Sequence, residues 1–269
     1  RKMNDNCMIL WIEKQIKKLY RFTFLFSELV KRDFKKKYKQ TALGMTWSVL
    51  SPLLTLLVMR LVFTQFFGRN TPFYTTYLFS GTLVMGFYKE ATKGGMSSLM
   101  DNAKIISKIN VPKYLFLFSK NISALVNFAL TLVVYFIFCA IDGIPFGPHM
   151  LALLYPVLCL TVMNIGVGMV LSAMYVFFRD TRYLYDVFLT LLNYLSAIFY
   201  QVDKYPPRVQ RLFLLNPVYC NIKYFRVVAI DGAVPSVGYH LLLAFYAGLF
   251  LALGCWIYKK KNHEFVYYF

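Results

Sequence analysis

The chain has 269 residues, of which 58% are hydrophobic, and 30 Lys and Arg against 12 Asp and Glu give it a formal charge of +18. The apolar residues come in runs of about 20, the length of helix that crosses a hydrocarbon layer about 30 Å thick, which excludes a soluble fold and leaves no room for a separate catalytic domain. The basic residues gather before and between the runs, where anionic headgroups and positive-inside topology account for them, so membrane lipid rather than nucleic acid is the expected partner.

Residues 1–44 form a basic cytoplasmic segment. Met8–Ile12 is too short for the apolar region of a signal peptide and is followed by Glu13-Lys14-Gln15, so no cleavable leader is expected. Phe26, Leu29, Val30, Phe34 and Tyr38 then recur at helical spacing between Lys31, Arg32, Asp33, Lys35, Lys36 and Lys39. That pattern predicts a helix lying in the headgroup plane with its apolar face in lipid; an ordinary solvated tail would need no phenylalanine stripe.

Six runs follow within 45–258, near Leu43–Phe67, Tyr74–Ser97, Tyr114–Ile141, Met150–Phe178, Leu184–Val202 and Val237–Tyr258. Each is expected to be a transmembrane helix, because an open strand in lipid leaves backbone groups unpaired, and the fold class is therefore all-α and polytopic. Twelve Lys and Arg precede the first run, six lie from Lys89 to Lys120, two are Arg179 and Arg182, and three are Lys259 to Lys261. Those 23 face one side and only six the other, which puts both termini, including the short tail 259–269, in the cytoplasm.

Two connections are unusual. Leu99–Asn110 has Ile105, Ile106 and Ile109 on one face and Asp101, Lys104 and Lys108 on the other, and Val111-Pro112 ends it. A short amphipathic helix there packs on lipid or docks on a cytoplasmic partner. The external connection 203–231 is largely apolar yet is split by Asn216-Pro217 into two pieces too short to cross. A re-entrant pair of half-helices with a protein-covered turn accommodates it; the alternative is an amphipathic loop lying flat on the membrane.

No catalytic constellation or metal site is evident. His149, His240 and His263 are far apart, and Cys7, Cys139, Cys159, Cys220 and Cys255 form no CxxC pair. Gly81 and Gly86 have the spacing of a nucleotide-binding loop, but Phe87 and Tyr88 replace the Lys and Ser/Thr that reach the phosphates. Arg60, inside the first run, either snorkels to the outer headgroups or faces a polar conduit and an anionic substrate. Lys89 and Glu90 are weaker candidates for the conduit. Tyr194, Phe199 and Tyr200, with Tyr219 and Tyr224, exceed an interfacial belt, and tyrosine faces suit sugar rings as well as packing.

Arg32-Asp33, Tyr38, Leu43-Gly44, Trp47 and Pro52 form a basic "RD…Y" helix followed by an "LG…W…P" entry to the first span. Asn102, Ile105-Ile106, Lys108 and Val111-Pro112 come next, then Phe178-Arg179-Asp180 and Leu215-Asn216-Pro217. This ordered set, over about residues 25–260, resembles the permeases of ABC type-2 exporters for O-antigen, capsule and teichoic acid. The second span departs from the family pattern at Met85-Gly86, where those permeases often carry Trp.

The resemblance implies a bacterial cytoplasmic-membrane permease and not an enzyme. Residues 99–110 would be a coupling helix seated in a separate ATPase subunit, which would carry the ATP and Mg, with no cofactor in this chain. The half-helices, with Phe213, Asn216, Pro217, Tyr219, Tyr224 and Arg226, would form an external gate. A second copy would complete the path, and the substrate would be a lipid-linked glycan. The alternatives are export of a drug or small lipid, or a membrane-embedded glycosyl or lipid transferase, for which the chain offers only Asp180, Asp186 and scattered carboxylates.

Overall fold

The computed structural model describes residues 22–38, 43–67, 73–109, 111–261 and 264–265. Residues 1–21, with Cys7, and likewise Arg69, Asn110, His263 and the side chain of Tyr38, lie outside the described set. The described residues are helical, with no strand among them: α1 (Thr23–Tyr38), α2 (Trp47–Phe67), α3 (Tyr74–Asp101), α4 (Ala103–Ile106), α5 (Tyr114–Ile141), α6 (Leu154–Phe177), α7 (Thr181–Leu195), α8 (Pro207–Phe213), α9 (Pro217–Ala229) and α10 (Val237–Lys261).

The bundle is organised by close backbone approach. A Cβ on Gly166 of α6 would lie 2.3 Å from the carbonyl carbon of Phe250 in α10, and one on Gly254 would lie 2.7 Å from the Gly166 carbonyl oxygen. A Cβ on Gly95 of α3 would lie 2.9 Å from Cα of Gly168. Lipid offers helices no hydrophobic drive to associate, so small residues at such crossings let dispersion contacts hold them. The central set is α3, α5, α6 and α10. Outside it, α2 exposes Leu54, Leu57, Val58 and Leu61, and α7 exposes Leu184, Val187, Phe188 and Leu191.

Among the described residues three helices are long and apolar enough to cross a membrane by length and composition: Tyr114–Ile141, Pro148–Phe177 and Val237–Lys261. α3 has the length, 28 residues, but carries Lys89, Glu90 and Lys93. In α2, Pro52 removes the amide that the Ser48 carbonyl needs one turn back; the Thr131 hydroxyl of α5 lies 3.5 Å from that carbonyl.

Four sequence expectations need correction. The first span starts at Trp47, after a 3-10 turn over Gly44–Thr46. The stripe on α1 is not simply laid in lipid: Leu29 is buried, and Phe26 packs with it against the cluster containing Leu115 and Phe116 of α5. The 99–110 segment is not one helix. α3 runs on to Asp101, and only Ala103–Ile106 follows as a single turn. Asn102 makes the break, its Nδ2 donating to the Ser98 carbonyl at 2.7 Å and its Oδ1 accepting from Arg32 at 2.9 Å.

The fifth run, expected as Leu184–Val202, is helical only to Leu195. At 15 residues α7 is about 22 Å long, shorter than the apolar layer. Ser196 follows, and Ala197 takes the left-handed region at φ 50°. The chain leaves the helix because its carbonyls have other donors. Leu195 accepts from Asn216 Nδ2, Ala197 and Ile198 from the Arg226 guanidinium, Phe199 from the Tyr74 hydroxyl and Tyr200 from the Tyr77 hydroxyl. Non-helical backbone at such depth persists only where protein satisfies it.

The 203–231 connection holds two short helices divided at Asn216-Pro217: α8, seven residues, and α9, thirteen. Asn216 caps α9, accepting from the amides of Val218 and Tyr219 at 3.0 and 3.2 Å, with Pro217 at the first helical position. The turn between them is covered: the Leu214 carbonyl accepts from the Tyr246 hydroxyl of α10 at 2.9 Å and from the Cys220 thiol at 3.2 Å. α9 is packed inside the bundle, whereas α8 has no fully buried residue.

Candidate functional site

The functional features fall at three levels of the bundle. At the basic end, α1 is tied to the corner between α3 and α5. The Asp33 carboxylate is buried; it accepts from Arg32 at 2.9 Å and from the Ser119 hydroxyl at 3.1 Å, with Lys120 Nζ at 3.4 Å. Lys120 also reaches Asp101 at 3.5 Å, and Arg32 reaches Asn102. Opposite charges and hydrogen bonds together satisfy this buried carboxylate. The corner itself turns Ile106 and Val111 inward, with Ile105 partly buried against them and Pro112 half-buried beside them. Lys104, Ser107, Lys108 and Ile109 remain outside.

At mid-height, α3 shows one polar stripe. Thr82, Gly86, Glu90, Lys93, Ser97 and Asp101 recur three or four residues apart, each at least partly exposed. The charges are matched from both sides. Lys89 donates to Asn193 of α7 at 3.1 Å and Lys93 pairs with Asp186 of α7 at 2.6 Å. On the other flank Asn127 of α5 donates to Glu90 at 2.8 Å. Charges in an apolar layer are expensive, and Lys89, Glu90 and Lys93 each meet a polar or oppositely charged partner.

At the opposite end, the Arg226 guanidinium is buried with five donated contacts. It donates to Ser80 Oγ, to the Tyr77 hydroxyl and carbonyl, and to the carbonyls of Ala197 and Ile198, at 2.8 to 3.3 Å. It also lies over the Tyr77 ring, 3.5 Å from the centroid. A guanidinium has five N–H donors, and all five are engaged here, which fixes α9 to α3 and to the turn after α7. Beside it, Lys223 lies 3.6 Å from Asp203. Desolvation pushes the Asp231 carboxyl up from its ordinary value; neighbouring Asp203 adds to this and Lys223 opposes it.

Four of the predicted gate residues gather around the start of α9, while Tyr224 packs in another cluster. Phe213 packs on Tyr200 and Tyr219, Asn216 and Pro217 start α9, and the hydroxyl of Tyr224 lies 2.7 Å from His240 Nε2. The predicted path residues do not form one wall. Arg60 is exposed on α2, Lys89 is half-buried on α3 and Tyr194 is exposed on α7. Phe199 is buried, and Tyr200 turns its hydroxyl back to the Tyr194 carbonyl at 2.9 Å; both belong to the clamped turn. Of the interfacial set, Val30 and Phe34 are half-buried and Trp47 is exposed.

Sequence reading missed Tyr77, Ser80, Asn127, Ser119 and Lys120. Lys120, a charge six residues inside an apolar run, was the available signal, but it was read only as topology. Among the described residues no group of three His, Cys, Asp or Glu could hold a metal.

Comparison with known proteins agrees with this architecture. The family model for the ABC-2 type transporter matches residues 25–230. The chain is 25% identical to the O-antigen export system permease protein of Myxococcus xanthus, over 93% of this chain and 97% of that protein. It is 25% identical to the O-antigen export system permease protein of Klebsiella pneumoniae, over 93% and 98%. The capsule polysaccharide export inner-membrane protein of Neisseria meningitidis serogroup B is 22% identical, over 74% and 76%. The protein is an all-helical, multi-pass membrane permease, and the chain belongs to the ABC-2 type transporter family.

Proposed function

We propose that this chain is the permease half of an ATP-driven exporter that moves a lipid-linked polysaccharide across the bacterial cytoplasmic membrane. The observation that carries the reading is the matched polar stripe on α3, flanked by α2 and α7 with their exposed apolar faces. A route through lipid needs its polar wall covered, and a second copy of the chain laid against α2 and α7 covers it. The likeness to permeases named for O-antigen export, over 97% and 98% of their length, and to a capsule polysaccharide export inner-membrane protein, over 76% of its length, supports a polysaccharide as cargo.

In this reading both termini are cytoplasmic, and ATP and Mg are bound by a separate subunit. That subunit seats against the corner surface of Lys104, Ser107, Lys108 and Ile109. Its movement is passed on by the bonds linking Asn102, Arg32, Asp33 and Lys120 to α1 and α5. Outward release runs past α9, the element that Arg226 fixes.

The test is reconstitution of the chain with its nucleotide-binding subunit in inside-out vesicles. Lipid-linked glycan should pass into the lumen only with hydrolysable ATP and both subunits. Transport by the chain alone, or export of small drugs with no glycan movement, would sink the reading.

A further inference from the structure

One cavity opens beside the α3 stripe. It measures about 560 Å³ and lies where α2 leans over α3 and α5, within the size range of small-ligand sites. Its walls are of two kinds. Trp47, Phe79, Phe87 and Phe128 supply ring faces and edges. Between them stand oxygen atoms, and the direction of their hydrogen bonds decides the chemistry.

The Thr55 hydroxyl donates to the Ser51 carbonyl, Thr82 to the Leu78 and Phe79 carbonyls, and Thr131 to the Asn127 carbonyl. Each proton is engaged by a backbone carbonyl, that of Thr131 also by Ser48 of α2, which leaves the oxygen as an acceptor. Glu90 adds a carboxylate. Among the described residues no Lys or Arg lines the cavity. Such a wall repels phosphate and favours a ligand with many O–H donors and an apolar face.

We propose that this groove binds uncharged sugar rings of the exported glycan; the inference rests on the export reading given above. Pyranose hydroxyls would donate to Thr55, Thr82, Thr131 and Glu90, while a C–H face stacks on Trp47. Gly86 sets the space. It lies on the same wall, one turn from both Thr82 and Glu90, and a Cβ there would meet nothing within 4 Å, so any larger side chain grows into the groove.

The test uses the reconstituted complex and the purified chain. The probe is neutral oligosaccharide released by mild acid from the host's own lipid-linked glycan, with inorganic pyrophosphate as the contrasting anion. Binding is read from the fluorescence change that is lost in Trp47→Phe. The variants are Gly86→Phe, which fills the groove, and Thr82→Val, which removes an acceptor without changing size. Gly248→Phe on α10, where a Cβ likewise meets nothing, is the control.

Wild type and Gly248→Phe should bind the oligosaccharide saturably and ignore pyrophosphate. Gly86→Phe should lose at least tenfold in affinity and in transport, and Thr82→Val should weaken binding several-fold. Wild-type affinity in both groove variants, or binding of pyrophosphate alone, overturns the site. Glycan transport by the wild-type complex is scored separately: if it proceeds and the groove variants match it, the groove falls while export stands. If the wild type moves no glycan, export itself falls.

Discussion

Arg226 offers the sharpest energetic test of the fold. Its replacement by Met removes all five donors from a buried site while keeping most of the side-chain volume. The carbonyls of Ala197 and Ile198 lie in a turn, where no helical amide replaces the guanidinium. Each buried acceptor left without a donor costs about 1–3 kcal/mol, or about 2–6 kcal/mol for the pair. Removing a desolvated cation offsets part of that, because a buried charge is itself costly. The net expectation is a loss of about 2–4 kcal/mol, roughly 5–10 °C in Tm for a chain of this size.

Arg226→Lys should do no better than Met. It keeps the buried charge but has three donors in place of five, and it lacks the planar fork that meets two successive carbonyls. The assay is thermal unfolding of the purified chain in detergent, with hydrogen exchange over residues 196–202. Both variants should lower Tm and speed exchange there. Recovery of wild-type stability by Lys would refute the reasoning, since a point charge would then suffice.

Three further predictions follow from other contacts. Asp33→Asn weakens the charged contacts to Lys120 and Arg32, which are worth about 1–3 kcal/mol together; hydrogen exchange should quicken along α1 and stay unchanged in α10. Equal exchange in α1 would mean that the pair does not hold it. Gly166→Ala forces a methyl against the Phe250 backbone at a cost of about 1–3 kcal/mol or more, whereas Gly248→Ala, in open space, should leave Tm unchanged. Tyr74→Phe removes one donor to the turn after α7 and should cost about 1 kcal/mol, and Tyr77→Phe, which also takes an acceptor from Arg226, should cost more; both are read as a lower Tm with faster exchange at residues 199–202.

What the sequence made legible was whatever depends on neighbouring residues. The lengths of α5 and α10 follow from long apolar runs, and the start of α9 follows from Asn216-Pro217, a cap with its preferred first residue. What depends on distant partners was hidden. The run through Ala197, Ile198 and Phe199 looks helical, and only donors from Tyr74, Tyr77 and Arg226 make the turn stable. Asn102 reads as an ordinary helix residue until Arg32 takes its side-chain oxygen.

The site divides the same way. Tyrosines stand out by composition, yet Tyr200 serves the clamped turn, while the hydroxyls that line the groove belong to serines and threonines. Aromatic count could not separate a ring facing a cavity, as Phe87 and Phe128 do, from one closing a core, as Phe199 does.

Seating of a separate ATPase on the α4 corner is the claim on which the mechanism turns. A photoreactive phenylalanine analogue at Ile109, exposed at the basic end, and another at Phe146, exposed in the α5–α6 connection, would locate that subunit in native membranes. The account predicts an adduct with the nucleotide-binding subunit from position 109 and none from 146. An adduct from 146 alone would put the partner on the other face and contradict it.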